Sequence, residues 1–365
     1  MIKKNLSEIS ALIYAPLPPP IGGIASIVDM LHRGIGERND ISFITPISKG
    51  RGFYADAARP TRNILRLIQA VGSIKRKGRI LFFSSARGSF FEKLFWALLV
   101  ILRGRKAVVV MVDGNFPPFW DSCSQMLRNF FSWVVNNSNF ELGAQSEEWR
   151  SYYQSIFPLA RIKVVGATVA EEFFDHIRQP DTTLRKVTIL YVGWIIHQKG
   201  MIDLLDAATL LCKTHPEAKF RLVGPLFGKE EYWNNEITNR GISSQVEFLG
   251  SFSDRKSLIN EFDTASIFVF PSHFEGFPVA LLEAITMGLA CVGTSIGGIP
   301  DILDHGRAGI VIPPHSPTEL ANALKYLLDK PDEVEKLSKH ASIRARTVYS
   351  HATCMESYMQ LMGIK

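Results

Sequence analysis

The stretch SIFVFPSHFEGFPVALLEAITMGLACVGTSIGGIPD, residues 266–301, decides how the chain is read. Ser266 to Phe270 is a continuous apolar run of strand length, and Pro271 stops it. Pro278, followed by Val279, Ala280, Leu281, Leu282, Glu283 and Ala284, has the composition of a helix that begins there. The unit reads strand, loop, helix. Glu275 falls in the loop and Glu283 about a turn and a half inside the helix, so at roughly 1.5 Å of rise per residue the carboxylates stand up to about 12 Å apart. That is too far to share a proton, but it suits opposite ends of one extended ligand. Between them, the free N–H groups of the first helical turn face an anion. A ligand with hydroxyls at both ends and phosphate in the middle is a sugar nucleotide. Taken singly, each glutamate reads equally well as an ordinary surface charge.

The order Phe270-Pro271-Ser272, Glu275-Gly276-Phe277-Pro278-Val279, Leu281-Leu282-Glu283-Ala284, Met287-Gly288 and Gly297-Gly298-Ile299-Pro300-Asp301 resembles the donor-site signature of family 4 (group 1) glycosyltransferases, in which two glutamates are separated by seven residues. The resemblance implies the GT-B architecture, an α/β fold of two Rossmann-like doubly wound domains facing a central cleft. It also implies retention of anomeric configuration. Glu283 would then hold ribose hydroxyls and Glu275 the sugar, while the backbone of Gly276, Phe277, Pro278 and Val279 cradles sugar and phosphate.

Outward from this stretch, strands near 187–193, 219–224, 246–250, 266–270, 290–294 and 309–312 alternate with helices, and six βα repeats describe one doubly wound domain. Its first loop runs from Gly193 to Gly200. Lys199, just before a helix, would offset the charge of a leaving diphosphate; a solvated lysine is the plainer reading. The family pairs such a lysine with an arginine, and here Trp194 stands in its place. Leu222 to Pro225 and Phe248 to Phe252 end strands on the binding edge. In the family the base lies there, beside Gly250 and with Phe252 either stacked on it or packed in the core. Gly297 and Gly298 supply another close-approach backbone.

The first half repeats the alternation with strands at about 10–15, 41–45, 79–84, 106–112, 139–143 and 161–165. Helices are expected to about Gly36, at 60–76, 89–103 and 119–135, and from Ser146. Gly22 and Gly23 precede the first helix, where the backbone approaches a ligand closely, and their place resembles the family's opening loop. Arg87, in Ser84 to Ser89 at the end of a strand, would hold an acceptor phosphate, or is a solvated loop arginine. The wording of residues 85–93 resembles the branch that builds bacterial surface polysaccharides. Where the family carries a histidine near the reacting carbon, this chain has Asp113. Ala167 and Thr168 replace its usual Asn-Gly. The helix over residues 90–106 packs as a core helix or, with Phe and Trp in the headgroup layer and Arg103, Arg105 and Lys106 on anionic lipid, docks on a membrane.

The polar run 181–186 after Pro180 marks the expected junction. It divides an acceptor domain, residues 1–180 completed by a terminal helix at about 349–365, from a donor domain, 185–348. At 365 residues both are large enough for their own cores. Residues 1–180 carry 23 Lys plus Arg against 14 Asp plus Glu, a net +9, and residues 181–365 carry 18 against 21, a net −3. The basic half suggests a polyanionic partner. Nucleic-acid motifs are absent, which favours an anionic membrane surface or a diphosphate-bearing lipid. Cys123, Cys212, Cys291 and Cys354 lack paired spacing, as in a reducing cytoplasm without a structural metal. No signal peptide and no membrane span is expected.

With no Asp-x-Asp motif, the transfer is expected to need no metal and no cofactor. The implied activity is a metal-independent hexosyltransferase with Glu275, Asp113 and Lys199 in catalytic positions, working at the inner membrane face on a lipid-linked or oligosaccharide acceptor of O-antigen, lipopolysaccharide or capsule synthesis. The alternatives are an epimerase of the same fold, which needs no acceptor, and a non-catalytic scaffold.

Overall fold

The computed structural model describes residues 9–15, 23–35, 38–45, 68–69, 71–72, 74–75, 78–176, 187–252 and 254–364. The chain divides into two compact units, residues 1–168 with 351–365, and residues 169–350. Among the described residues each holds one six-stranded, all-parallel sheet.

In the first unit the strands are β1 (Ala11–Tyr14), β2 (Ile41–Ile44), β3 (Arg79–Ser84), β4 (Lys106–Met111), β5 (Phe140–Ala144) and β6 (Arg161–Val164), in the order β2-β1-β3-β4-β5-β6. Val108, Val109 and Val110 of β4 are fully buried in succession, which requires cover on both faces of the sheet. The expected helix over 119–135 is two helices, Phe116–Ser122 and Gln125–Val135. Ser124 lies in an extended conformation and its hydroxyl accepts the N–H of Leu127, so it caps the second helix rather than continuing the first. The helix expected over 60–76 falls largely outside the described residues. The terminal helix, His351–Leu361, packs within this unit: the Arg79 guanidinium donates to the Leu361 carbonyl at 2.7 Å, and Met355 fills the space a side chain at Gly34 would need.

In the second unit β7 (Thr188–Val192), β8 (Lys219–Val223), β9 (Val246–Gly250), β10 (Ile267–Phe270), β11 (Ala290–Thr294) and β12 (Ile310–Ile312) run in the order β12-β11-β10-β7-β8-β9. The unit starts before the polar run 181–186. Helix Glu171–Asp175 belongs to it, because Phe173 packs on Phe262, Glu172 pairs with Arg255 at 2.8 Å and His176 meets Asp263 at 3.0 Å. The junction therefore falls after Thr168, twelve residues before Pro180.

Candidate active site

In the second sheet the chain moves outward from β7 to β8 and β9, then returns to build β10, β11 and β12 on the other side. Loops leaving β7 and β10 therefore diverge, and an open α/β sheet binds ligands at such a divergence. The β7 loop carries Lys199 at the end of a 3-10 turn, His197–Lys199, and the β10 loop carries Glu275. The two side chains form an ion pair, with 23% of the lysine and 9% of the glutamate side chain exposed. Lys199 Nζ also lies 3.4 Å from the Phe274 carbonyl. Lys199 is thus a partnered lysine at the switch point, not a solvated one.

Backbone contacts that only glycine permits hold these loops. Gly200 (φ +69°) lies so close to the β10 loop that a Cβ would stand 1.9 Å from the Pro271 carbonyl oxygen. Gly297 (φ +55°) would place one 2.1 Å from the Glu275 carbonyl oxygen, and the Gly298 N–H donates to the Gly276 carbonyl at 2.8 Å. The close-approach backbone expected at Gly297-Gly298 lies against the Glu275–Phe277 backbone. Phe277 itself is buried edge-on against Tyr349. Pro278 offers no side-chain cap to helix Val279–Thr286, whose first turn is left with N–H groups free for an anion.

Glu283, on that helix, is only partly exposed, and its carboxylate has no hydrogen-bond or ion-pair partner among the described residues. Burial pushes its pKa from the usual 4.5 up to about 8, partly offset by the positive charge of Arg255. Gly250 takes φ +68° at the end of β9, and its carbonyl accepts the Gly224 N–H at 2.8 Å. Phe252 is partly exposed and makes no ring contact among the described residues.

Residues 173–344 match the family model of group 1 glycosyl transferases. The matched span takes in nearly all of the second unit. The chain is 26% identical over 243 residues to a glycogen synthase of Mycobacterium tuberculosis, covering 65% of this chain and 57% of that protein. It is 30% identical over 189 residues to a D-inositol 3-phosphate glycosyltransferase of Pseudarthrobacter chlorophenolicus, covering 50% and 44%. The chain spans about half the length of the curated relatives it matches. Among solved structures it resembles HepE of Anabaena in complex with UDP, with TM-score 0.74, 17% identity, and 97% of this chain and all of that one covered. At that identity the likeness establishes the fold, the GT-B fold that the donor signature implies.

Outside the matched span, the expected site residues Asp113, Arg87 and Gly23 belong to the first unit. The Asp113 carboxylate accepts the Ala86 N–H at 3.1 Å, the Asn115 N–H at 2.9 Å and the Asn115 side-chain amide at 2.8 Å. The first of these bonds ties the loop after β3 to the loop after β4, and the other two are local to the latter. Arg87 is exposed at the start of helix Gly88–Leu102, with φ +62° and ψ −130°. Gly23 begins helix Gly23–Ile35, and Gly22 lies outside the described residues. In helix Gly88–Leu102, Trp96 is buried and its indole N–H donates to Glu92 at 3.2 Å, which removes it from any headgroup layer, while Phe91, Phe95 and Leu102 are exposed.

Sequence reasoning missed two features of the second unit. Tyr191, buried in β7, donates its hydroxyl to the Trp194 carbonyl at 2.8 Å, so the loop that lacks the family's arginine is pinned through its backbone. The Trp194 ring lies on Phe227 with centroids 5.0 Å apart, and both rings are exposed. No local spacing signals that pair, because it joins loops from two strands.

Proposed function

We propose that the chain is a retaining glycosyltransferase that moves a sugar from a nucleoside diphosphate sugar to a hydroxyl of a growing glycan. The observation that carries this reading is the meeting of Lys199 and Glu275 at the switch point of a group 1 domain, beside the helix that bears the unpartnered Glu283. Glu283 would accept the ribose hydroxyls, which satisfy a carboxyl left without a partner. Glu275 would hold the sugar hydroxyls. Lys199 and the uncapped helix start at Val279 would oppose the diphosphate charge, a role Trp194 does not share. Gly250 and Phe252 would face the base.

As the anomeric C–O bond to the diphosphate breaks, the acceptor oxygen bonds to the same face of that carbon. The departing phosphate takes the acceptor's proton. No step in this scheme calls on a metal or cofactor. The HepE structure is a UDP complex, which makes uridine nucleotides the first donors to try.

The acceptor we propose is a lipid-linked glycan of bacterial surface polysaccharide synthesis, of the O-antigen or capsule kind, met at the cytoplasmic face of the membrane. Two features support it. The first 180 residues carry a net +9, and helices Gly88–Leu102 and Gln125–Val135, in contact through Phe91 and Phe131, expose Phe91, Phe95, Leu102, Met126, Phe130 and Trp133. No described helix is long and apolar enough to cross a membrane. A scaffold, favoured by Trp194 and by the engaged carboxylate of Asp113, would bind nucleotide and transfer nothing. An epimerase would convert its substrate with no acceptor present.

Thermal unfolding with UDP, GDP and ADP, on the wild type and Glu283→Ala, tests the donor site. A ligand at about 100 times its dissociation constant adds roughly 2.7 kcal/mol. A shift by one nucleotide that the variant loses supports the reading, and no shift by any at millimolar concentration overturns it.

A further inference from the structure

One helix and two loops of the second unit bring together side chains that the transfer scheme does not use. Asp203 lies in the first turn of helix Met201–Leu211, His273 in the loop after β10, and His315 in the loop after β12. Asp203 Oδ2 and His273 Nε2 are 2.7 Å apart. The imidazoles of His273 and His315 face each other with centroids 3.6 Å apart and planes inclined by 39°. One donor atom from each residue lies within 4.8 Å of the other two. The His315 ring has no hydrogen bond or ion pair among the described residues. Its backbone holds φ +55°, a conformation glycine or asparagine would adopt at lower cost.

We propose that Asp203, His273 and His315 form a binding site for a divalent cation of the zinc class. Two neutral imidazoles and one carboxylate suit Zn²⁺, Co²⁺ or Ni²⁺, whereas Mg²⁺ and Ca²⁺ take oxygen ligands. Tetrahedral coordination at about 2.0–2.1 Å needs donors about 3.3 Å apart, so each side chain moves by roughly 1 Å and water completes the shell. The cation has a structural role. The His273 N–H already donates to the Gln198 carbonyl at 3.0 Å, so an ion there fastens the β12 loop and helix Met201–Leu211 to the loops that carry Lys199 and Glu275.

The test uses the full chain, stripped with EDTA and titrated with Co²⁺, with visible d–d absorption as the readout and Zn²⁺ as competitor. One equivalent of Co²⁺ with intense tetrahedral bands, displaced by Zn²⁺ and without the near-ultraviolet band of thiolate ligation, is expected. His315→Asn keeps the backbone conformation and removes the imidazole, and it should weaken binding at least tenfold. Asp203→Asn, which keeps shape and removes charge, is the second variant should the first misfold. A wild type without d–d bands, binding unchanged in a folded variant, or a thiolate band each overturns the proposal.

Discussion

The switch points of the two sheets are built on opposite principles. In the second unit, loops approach one another backbone to backbone: Gly200 on Pro271, Gly224 on Gly193, and Gly297 on Glu275, with would-be Cβ distances of 1.9, 2.0 and 2.1 Å. In the first unit the loop after β3 is held by a side chain, through the hydrogen bond that Asp113 accepts from the Ala86 N–H. Its left-handed position is filled by Arg87. Backbone approach demands glycine at fixed places and so leaves a strong sequence signature. A side chain that accepts N–H groups can be any of several polar types and leaves little trace. The second unit is therefore readable by motif, and the first much less so.

The largest expected effect contrasts two glycines of nearly equal φ. Gly200 is at +69° against the Pro271 carbonyl and Gly104 is at +70° with nothing within 4 Å. Gly104→Ala should cost about 1 kcal/mol, the left-handed penalty alone. Gly200→Ala should cost about 3 kcal/mol or more, a fall of roughly 6–12 °C in the melting of a unit this size, and should also abolish nucleotide stabilisation. Equal losses in calorimetry would break the comparison.

Next is Glu283. Its folded pKa is raised, so between pH 4.5 and about 8 the folded unit holds a proton that the unfolded chain has released. That contribution to stability is complete below pH 4.5 and is lost as pH rises through about 8. Glu283→Gln should remove the decline, leaving the variant ahead by roughly 1–3 kcal/mol at pH 8.5 once solvent screening of a partly exposed carboxyl is allowed for. Urea midpoints between pH 4 and 9 measure it, and parallel curves would refute the half-buried carboxyl.

Asp113→Asn should destabilise the first unit by about 1–2 kcal/mol, because one amide N–H must then face a backbone donor. It should leave nucleotide affinity unchanged in isothermal titration, whereas a donor-site role for Asp113 would change that affinity. The smallest effect is at Arg87. Replacing it with glycine should relieve backbone strain and raise stability by up to about 1 kcal/mol, while turnover with a phosphate-bearing acceptor falls if the guanidinium holds that group.

The sequence alone determined the strands, because parallel strands buried on both faces read as uninterrupted apolar runs such as residues 107–111 and Ile267–Phe270. It also determined the loop and helix from Glu275 to Glu283, whose order of residue types is contiguous along the chain. It misplaced what depends on packing at a distance. The break at Ser124 rests on one hydroxyl-to-backbone bond, and the junction at Thr168 on Phe173 finding Phe262. Only the tertiary structure decided that Lys199 is paired, with Glu275 seventy-six residues away, and that Glu283 is half-buried with a pKa near 8. It alone brought Asp203, His273 and His315 to one place. The physical reason is common to all three: charge, burial and donor geometry are set by which loops the strand order brings together at a sheet edge, and no local stretch of sequence carries that order.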